Sequence, residues 1–245
     1  MNTLRRFYVS PEGVRGEVAV LGPEETHHLV RVVRLGVGAE VAVFDGQGRE
    51  WQAVVENLSP EGAVLKVVRP LAPLAESPLS IALGVGLAKG EAMDGVIRQA
   101  TEMGVKKILP FISSRSERVT LERATRRRAK WERLAQESLK SSQRSYLPEI
   151  APVQDFAGVL AGPEEVKLLF WEEERGGGVS KYFSQTRPAG VRLLIGPEGG
   201  FSPEEVALVR EKGYQTASLG PRRLKVETAT LAALTLIQHA WGDLA

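Results

Sequence analysis

A glycine-bearing loop near the C-terminus lies between an apolar run and a helical pattern. Residues 191–195 read Val-Arg-Leu-Leu-Ile and predict a short buried strand, and the loop Gly-Pro-Glu-Gly-Gly-Phe follows at once. Ser202, with Glu205 three residues on, marks the start of a helix. The loop is therefore expected at the carboxyl end of a strand.

A second loop repeats this arrangement a little further along. A strand-like run over residues 214–219 is followed by a turn at Gly220 and by a helical pattern over residues 226–241. A strand–loop–helix unit that occurs twice predicts an open α/β sheet, and such sheets bind ligands at the carboxyl ends of their strands. The two loops are expected to face one small ligand.

The glycines in these loops narrow the kind of ligand. They accept positive φ and let the main chain approach a small molecule closely, although each one taken singly is explained as a tight turn. Neither loop has the Gly-Lys-Ser/Thr ending of a P-loop, which disfavours a nucleoside triphosphate. The segment from Gly84 to Gly90 spaces its last glycine one residue too far for a dinucleotide fingerprint, and no acidic residue closes the next strand. A Rossmann dehydrogenase or methyltransferase is therefore disfavoured.

Composition excludes several other classes. The 245 residues suffice for one large or two modest domains, and the absence of cysteine removes disulfides, thiolate catalysis and cysteine-bound zinc. The three histidines lack metal-ligand spacing, so no protein-held metal is expected. No apolar stretch reaches the ~18 residues of a membrane span, and no secretory signal is visible. We expect a cytoplasmic protein without a membrane segment.

The net charge of +2 is small, but the basic residues are unevenly distributed. Residues 115–133 contain eight basic residues against three glutamates: Arg115, Arg118, Arg123, Arg126, Arg127, Arg128, Lys130 and Arg133 against Glu117, Glu122 and Glu132. On a helix beginning near Thr120, they present a basic face that suits phosphates. The alternative is a solvated helix face with i,i+4 pairs such as Glu122 with Arg126.

The pattern along the chain predicts two domains. Residues 1–70 read as a small β-rich domain, residues 71–78 as a proline-rich linker, and residues 79–245 as alternating strands and helices over a parallel sheet. The last helix is apolar on nearly all sides. It is therefore expected to be centrally buried, or half buried and half in a subunit interface, which makes a homodimer plausible.

Two long motifs in the right order resemble a known family. Gly-Pro-Glu-Gly-Gly-Phe-Ser-x-x-Glu at 196–205 and Leu-Gly-x-x-x-Leu-x-x-Glu-Thr-Ala at 219–229 are similar to the RsmE-type ribosomal RNA uridine-N3 methyltransferases of the SPOUT class. The resemblance extends upstream through Met93-Asp94 and Gln99. The chain departs from the family's pattern at Arg223, Lys225, Val226 and Ser141. Lys225 keeps a positive charge but not a planar guanidinium fork.

The resemblance implies a fold, a reaction and partners. The N-terminal domain is expected to be a PUA-like RNA-binding module, and the C-terminal α/β domain is expected to be threaded as a trefoil knot that holds S-adenosyl-L-methionine. The implied reaction is methylation of N3 of a uridine in 16S ribosomal RNA or the small ribosomal subunit, by a homodimer. The alternatives are a non-catalytic ribosomal RNA-binding assembly factor and a nicotinamide oxidoreductase. The glycine spacing between Gly84 and Gly90 disfavours the oxidoreductase.

The resemblance also leads to candidate residues. The methyl donor is expected to contact mainly the main chain of the two loops: Ile195, Gly196, Glu198, Gly199, Gly200, Ser218, Leu219, Gly220, Arg223 and Leu224. N3 methylation needs a base and a stabiliser of the resulting anion, for which the candidates are Glu198, Glu227, Arg115, Arg144 and Arg223. Glu227 also has a simpler explanation, because a carboxylate in the first turn favours any helix. The candidate RNA-binding residues are His28, Arg31, Arg34, Arg115, Arg126 and Arg128.

Overall fold

The protein is described by a computed structural model that covers residues 4–116, 119–183 and 187–244. Glu117 and Arg118 of the basic run lie outside the described residues. The chain forms two compact units, one of Met1–Glu76 with Gln136–Leu147 and one of Ser77–Ala135 with Pro148–Ala245. The first unit thus includes a later segment that the sequence assigned to the second domain. The predicted limits at 70 and 79 stay predictions.

The first unit is built on a six-stranded sheet in the order β1-β4-β5-β6-β3-β2. Its strands are β1 (Arg6–Tyr8), β2 (Val14–Arg15), β3 (Val18–Leu21), β4 (Glu40–Phe44), β5 (Glu50–Ser59) and β6 (Gly62–Leu71). All pairs are antiparallel except β1 with β4. Alternate residues such as Ala19 and Leu21 point to the core, where they meet Phe7 and Leu65. The β-rich character of this region is as predicted.

The helical segment of the first unit has two parts, α1 (Pro23–His27) and then a π-helical turn (His28–Val32). The wide turn is closed by the Val33 N–H, which donates to the His28 carbonyl at 2.9 Å. It buries Leu29 against the sheet and ends before Arg34, whose φ is +60°. Such turns are often found at functional sites.

Arg6 ties the later segment to the first unit. Its buried guanidinium pairs with Glu50 at 2.9 Å and donates to the carbonyl oxygens of Leu139 at 2.6 Å and Arg144 at 2.9 Å. Two main-chain carbonyls and one carboxylate thus share a single cation. Because charge-assisted hydrogen bonds are the strong ones, this arrangement explains why residues 136–147 fold with the N-terminal sheet.

The second unit is a parallel α/β sheet in the order β10-β8-β7-β12-β11-β13, with β9 paired to β8. Its elements are β7 (Ser80–Gly86), α2 (Ala92–Glu102), β8 (Lys107–Ile112), α3 (Leu121–Ser142, whose last residues belong to the first unit), β9 (Glu149–Ile150), β10 (Gln154–Asp155), α4 (Phe156–Val159), β11 (Val166–Phe170), β12 (Gly190–Ile195), α5 (Pro203–Glu211), β13 (Gln215–Ala217) and α6 (Val226–Trp241). Every strand pair is parallel. The predicted α/β class is therefore confirmed, and the trefoil knot stays a prediction.

Aromatic residues support the loop that follows β12. Phe201 of that loop stacks on Phe111 with ring centroids 6.3 Å apart and lies 5.8 Å from the ring of Phe156. All three rings are almost fully buried. The loop is thereby fixed to the core of the sheet rather than resting on its surface.

The described residues show neither a membrane-spanning helix nor a metal-binding cluster. None of the helices there is both long and apolar enough to cross a membrane. No group of three or more histidine, aspartate or glutamate side chains in that part of the chain is placed to hold a metal ion.

Candidate active site

The carboxyl ends of three neighbouring strands are level with one another. Phe170 at the end of β11 lies opposite Ile195 of β12 on one side and Ala217 of β13 on the other. The loops that follow these strands therefore meet at one edge of the sheet. They enclose a cavity of about 250 Å³, lined by Arg115, Phe170, Trp171, Glu172, Glu173, Ile195, Gly196, Pro197, Glu198, Gly199, Gly200, Leu219, Gly220, Arg222, Arg223, Leu224 and Ala229. Both glycine loops contribute.

Most of the predicted donor-binding residues line this cavity. The exception is Ser218, which is not among the described lining residues. Its hydroxyl instead accepts a hydrogen bond from the Gly220 N–H at 3.1 Å and so shapes the turn of the second loop. Gly220 itself has a φ of +107°, which explains why a glycine stands there.

The first loop is crowded at two consecutive glycines. A Cβ on Gly199 would lie 2.9 Å from the Cβ of Arg115, and one on Gly200 would lie 2.2 Å from Oε1 of Glu172. Gly200 also has a φ of +66°. Arg115 Nη1 donates to the Gly199 carbonyl at 3.0 Å. These glycines therefore permit close approach of Arg115 and Glu172, which sequence alone did not show.

Glu198 is held by the main chain of a neighbouring segment. Its Oε1 accepts a hydrogen bond from the Lys89 N–H at 2.8 Å, which links the first loop to the residues after β7. A carboxylate can accept several hydrogen bonds, and no described residue donates to Oε2. The side chain has a fixed orientation and a free acceptor.

Glu205 connects the first loop to the segment that carries Arg115. Its Oε2 accepts from the Ser202 N–H and its Oε1 from the Ser114 N–H, both at 2.8 Å. The Glu205 N–H in turn donates to the Ser202 hydroxyl, which completes the predicted capping box. Glu205 is only 8% exposed. It thus positions the residue next to Arg115 in addition to capping α5.

A third segment lines the cavity and was missed from the sequence. Trp171, Glu172 and Glu173 follow β11 and stand between the two glycine loops. The signal was an apolar run ending at Phe170 followed by tryptophan and three glutamates. It was missed because β11 precedes β12 along the chain but lies between β12 and β13 in the sheet.

Glu174 fastens this third segment to β13. Its carboxylate accepts hydrogen bonds from the Thr216 hydroxyl and the Gly176 N–H, and it pairs with Arg210 at 3.2 Å. These bonds favour the charged form, and the Thr216 hydroxyl contributes most to holding the pKa of Glu174 below its ordinary value. Glu174 therefore holds the third segment in place.

Two of the catalytic candidates do not line the cavity among the described residues. Arg144 belongs to the first unit, where its guanidinium is buried and paired with Glu76 at 2.6 Å. The chain returns to the first unit within α3, at Gln136, and a catalytic role for Arg144 stays a prediction. Glu227 begins α6 and lies beside α2, with its Cγ 3.4 Å from the Cβ position of Gly95. Neither is among the described residues that line the cavity.

The RNA-binding candidates of the first unit lie on its helical segment. Arg31 and Arg34 are exposed, whereas the ring of His28 is partly buried 5.8 Å from the ring of Phe7. His28 Nδ1 is buried without a hydrogen-bond partner among the described residues. Only the two arginines thus present free surface to a phosphate backbone.

On α3, the predicted pairing of charges is present. Arg126 pairs with Glu122 at 2.5 Å and Arg128 with Glu132 at 3.0 Å, all on the helix surface. Exposed pairs of this kind contribute ~0.3–0.5 kcal/mol, which is little compared with phosphate binding. The basic and the solvated interpretations of this helix are therefore compatible.

Comparison with known proteins identifies the family. A model described as an RNA methyltransferase domain matches residues 75–238, and one described as an RNA methyltransferase PUA domain matches residues 21–68. Ribosomal RNA small subunit methyltransferase E of Synechocystis sp. is 33% identical over 95% of this chain and 76% of its own length. The Bacillus subtilis protein of the same name is 30% identical over 88% of each chain.

The chain belongs to the ribosomal RNA small subunit methyltransferase E family. The resemblance seen in the two motifs is confirmed, and membership favours an enzyme over the non-catalytic assembly factor. Solved structures agree across the whole length. A Legionella pneumophila methyltransferase in complex with its bound cofactor SAM has a TM-score of 0.91 and 32% identity, covering 100% of both chains. The Neisseria gonorrhoeae family member bound to S-adenosyl methionine has a TM-score of 0.88 and 29% identity, covering 99% of this chain and 100% of that one.

The cavity of this family member fits the cofactor of those relatives. Apolar side chains, among them Leu219 and Leu224, suit the adenine, and glycine main chain in both loops suits close contact with it and the ribose. The lining also carries charges of both signs, Glu172 and Glu173 against Arg222 and Arg223. These match the sulfonium, ammonium and carboxylate groups of S-adenosylmethionine.

Proposed function

We propose that the protein transfers the methyl group of S-adenosylmethionine to N3 of a uridine in the 16S ribosomal RNA of the small ribosomal subunit. The observation that carries this proposal is the convergence of three loops on one cavity that fits the cofactor, in a member of this family. When bound, S-adenosylmethionine supplies an activated methyl group on a sulfonium. The protein must then supply binding, a proton acceptor and charge stabilisation.

Glu198 is the proposed proton acceptor. The neutral imide nitrogen of uracil has no available lone pair, so its proton must be removed as the methyl group is transferred. Glu198 lines the cavity, the Lys89 N–H fixes its Oε1, and its Oε2 can take the N3 proton. Glu227, the other candidate base, does not share these properties.

Arg223 is the proposed stabiliser of the uracil anion. After loss of the N3 proton, negative charge spreads onto the carbonyl oxygens beside N3, where a cation or N–H donor stabilises it. Arg223 lines the cavity, is exposed, and has no hydrogen bond or ion pair to any described residue. Arg115 is already used, because it donates to the Gly199 carbonyl and holds the first loop.

The proposed partners follow from the surfaces of each unit. Exposed arginines on α3 and on the helical segment of the first unit suit ribosomal RNA phosphates. Leu231 and Leu236 on α6 are 38% and 37% exposed, and a second copy of the chain would cover them. We therefore propose a homodimer that binds RNA through both units.

A labelling experiment tests the proposal. Small subunits from a strain that lacks the family member are incubated with the protein and S-adenosylmethionine carrying a deuterated methyl group, and the nucleosides are analysed by mass spectrometry. Labelled 3-methyluridine is expected, and label in another nucleoside would contradict the proposal.

A variant separates chemistry from binding. Glu198→Gln should keep donor affinity within about twofold, because the amide oxygen can still accept from Lys89, while methyl transfer falls by roughly 100-fold or more. Glu211→Gln, an exposed carboxylate at the end of α5, is the matched control and should change neither quantity. Full activity of Glu198→Gln would assign the base elsewhere.

A further inference from the structure

Two carboxylates in the cavity have no role in holding the fold. Among the described residues, neither Glu172 nor Glu173 has a hydrogen-bond or ion-pair partner, although both line the cavity. The other nearby carboxylates are all engaged: Glu198 by Lys89, and Glu174 by Thr216 and Gly176. An unpaired charge facing a cavity is available to a ligand.

Glu172 is the better placed of the two. Its Oε1 lies 2.2 Å from the position that a Cβ of Gly200 would occupy, so it stands directly over the first loop. Glu172 is half-buried, whereas Glu173, Arg222 and Arg223 are exposed. Salt and water screen exposed charges far more than partly buried ones. The charge of Glu172 therefore contributes more to the electrostatic potential of the cavity than each of these exposed charges does.

The position of Glu172 is also held from two sides. The neighbouring Glu174 fastens the segment to Thr216 of β13. On the other side, the Trp171 N–H donates to the Ala217 carbonyl at 3.0 Å. The main chain that carries Glu172 is therefore fixed before the ligand arrives, which lowers the cost of reorganisation when the ligand binds.

We propose that Glu172 makes the site distinguish the methyl donor from its demethylated product. S-adenosylmethionine and S-adenosylhomocysteine share the adenosine, the ammonium and the carboxylate, and they differ by one methyl group and the positive charge of the sulfonium. A carboxylate in the cavity attracts the charged sulfonium and not the neutral thioether. Transfer of the methyl group thus removes the attraction and favours exchange of product for fresh donor.

This inference rests on the proposed function only in taking S-adenosylmethionine as the donor, and binding measurements test it without any RNA. Calorimetry gives Kd for S-adenosylmethionine and S-adenosylhomocysteine with the wild type and Glu172→Gln. The preference for the donor is expected to fall about tenfold, which corresponds to about 1.4 kcal/mol. Nearly all of the change should be in Kd for the donor. The loss should shrink at high ionic strength.

A matched control is available in the same unit. Glu211→Gln removes an exposed charge outside the cavity lining and should leave the preference unchanged. Sinefungin, which carries an ammonium where the donor has its methylsulfonium, should lose affinity in Glu172→Gln as the donor does. Glu172→Asp keeps the charge and should retain most of the preference, and the thermal unfolding of each variant shows that it is folded.

The possible results separate this inference from the proposed function. Equal loss of affinity for donor and product in Glu172→Gln would show that Glu172 contacts their shared part, and the inference would be wrong. An unchanged ratio would overturn it as well. If the wild type failed to bind S-adenosylmethionine at all, the proposed function would fail and this inference with it.

Discussion

The two glycine loops of the cavity are alike in sequence but differ in how the rest of the unit holds them. The first loop is attached at three points: Arg115 to the Gly199 carbonyl, Glu198 to the Lys89 N–H, and Glu205 to the Ser114 N–H. The second loop has a short turn closed by Ser218, and nothing lies within 4 Å of a Cβ placed on Gly220. In the first loop the glycines allow close packing, whereas in the second loop Gly220 allows a positive φ.

This difference suggests that the two loops contribute differently to binding the methyl donor and the RNA. A loop attached at three points is organised before a ligand arrives, which lowers the cost of binding the donor. A loop with exposed arginines and free space can adjust to a second, larger substrate. We expect substitutions in the first loop to act on stability and donor binding, and substitutions in the second to act more on RNA.

The largest effect is expected for Glu205→Ala. This change removes the charged acceptor of two backbone N–H groups, those of Ser202 and Ser114, and a hydrogen bond to a charged group contributes about 1.5–3 kcal/mol. The free energy of unfolding should fall by about 2–4 kcal/mol in urea denaturation. Glu211→Gln, at the exposed end of α5, should cost almost nothing. Equal costs for the two would mean that the first loop is not attached through Glu205.

The next largest effect is expected for Gly199→Val. The new side chain meets Arg115 at a distance that real Cβ atoms do not reach, and overpacking of this kind costs about 1–3 kcal/mol. Donor affinity should therefore fall roughly 10- to 100-fold in calorimetry. Circular dichroism should remain that of the folded protein. Unchanged affinity would remove the first loop from the donor site.

Gly220→Ala tests the role of glycine in the second loop. Alanine meets no neighbour there, so the cost is the backbone strain at a φ of +107°, about 1–2 kcal/mol. Gly213→Ala is the matched control, because Gly213 has a φ of +81° and open space but does not line the cavity. Both variants should lose similar stability, and only Gly220→Ala should also lose donor affinity, by less than Gly199→Val. A loss as large as that of Gly199→Val would show that the two loops do not differ.

The sequence was sufficient for those parts of the site that depend on neighbours in the chain. The strand–glycine–helix pattern predicted both loops, and Ser202 with Glu205 predicted the start of α5. The parts that failed depend on residues far apart in sequence. Glu172 reaches the cavity because β11 lies between two later strands. The bond between Lys89 and Glu198 spans 109 positions, so no local pattern could have shown it.

A smaller effect is expected when Arg222 of the second loop is replaced by alanine. If its guanidinium contacts one RNA phosphate, the slope of log affinity against log salt should become shallower by roughly 0.7–0.9. Donor affinity should change little, because the loop conformation is set by Gly220 and Ser218. Lys212→Ala, an exposed cation after α5, is the control and should leave the slope unchanged. An unaltered slope in Arg222→Ala would mean that this arginine does not contact an RNA phosphate.

The smallest effect is expected on the pH dependence of stability. It depends on the hydrogen bond from the Thr216 hydroxyl of β13 to Glu174, just before the second loop. The Thr216 hydroxyl and then the Gly176 N–H lower the pKa of Glu174 in the folded protein. A lowered folded pKa adds stability above the unfolded value of about 4.3, and this stability is lost as pH falls through the folded pKa. Thr216→Val removes the larger cause, so its unfolding free energy should lie below that of the wild type at about pH 7 and approach it below about pH 4. Thr235→Val, whose hydroxyl donates within α6, should differ from the wild type by an amount that does not vary with pH. If the difference for Thr216→Val were also independent of pH, the Thr216 hydroxyl would not lower the pKa of Glu174.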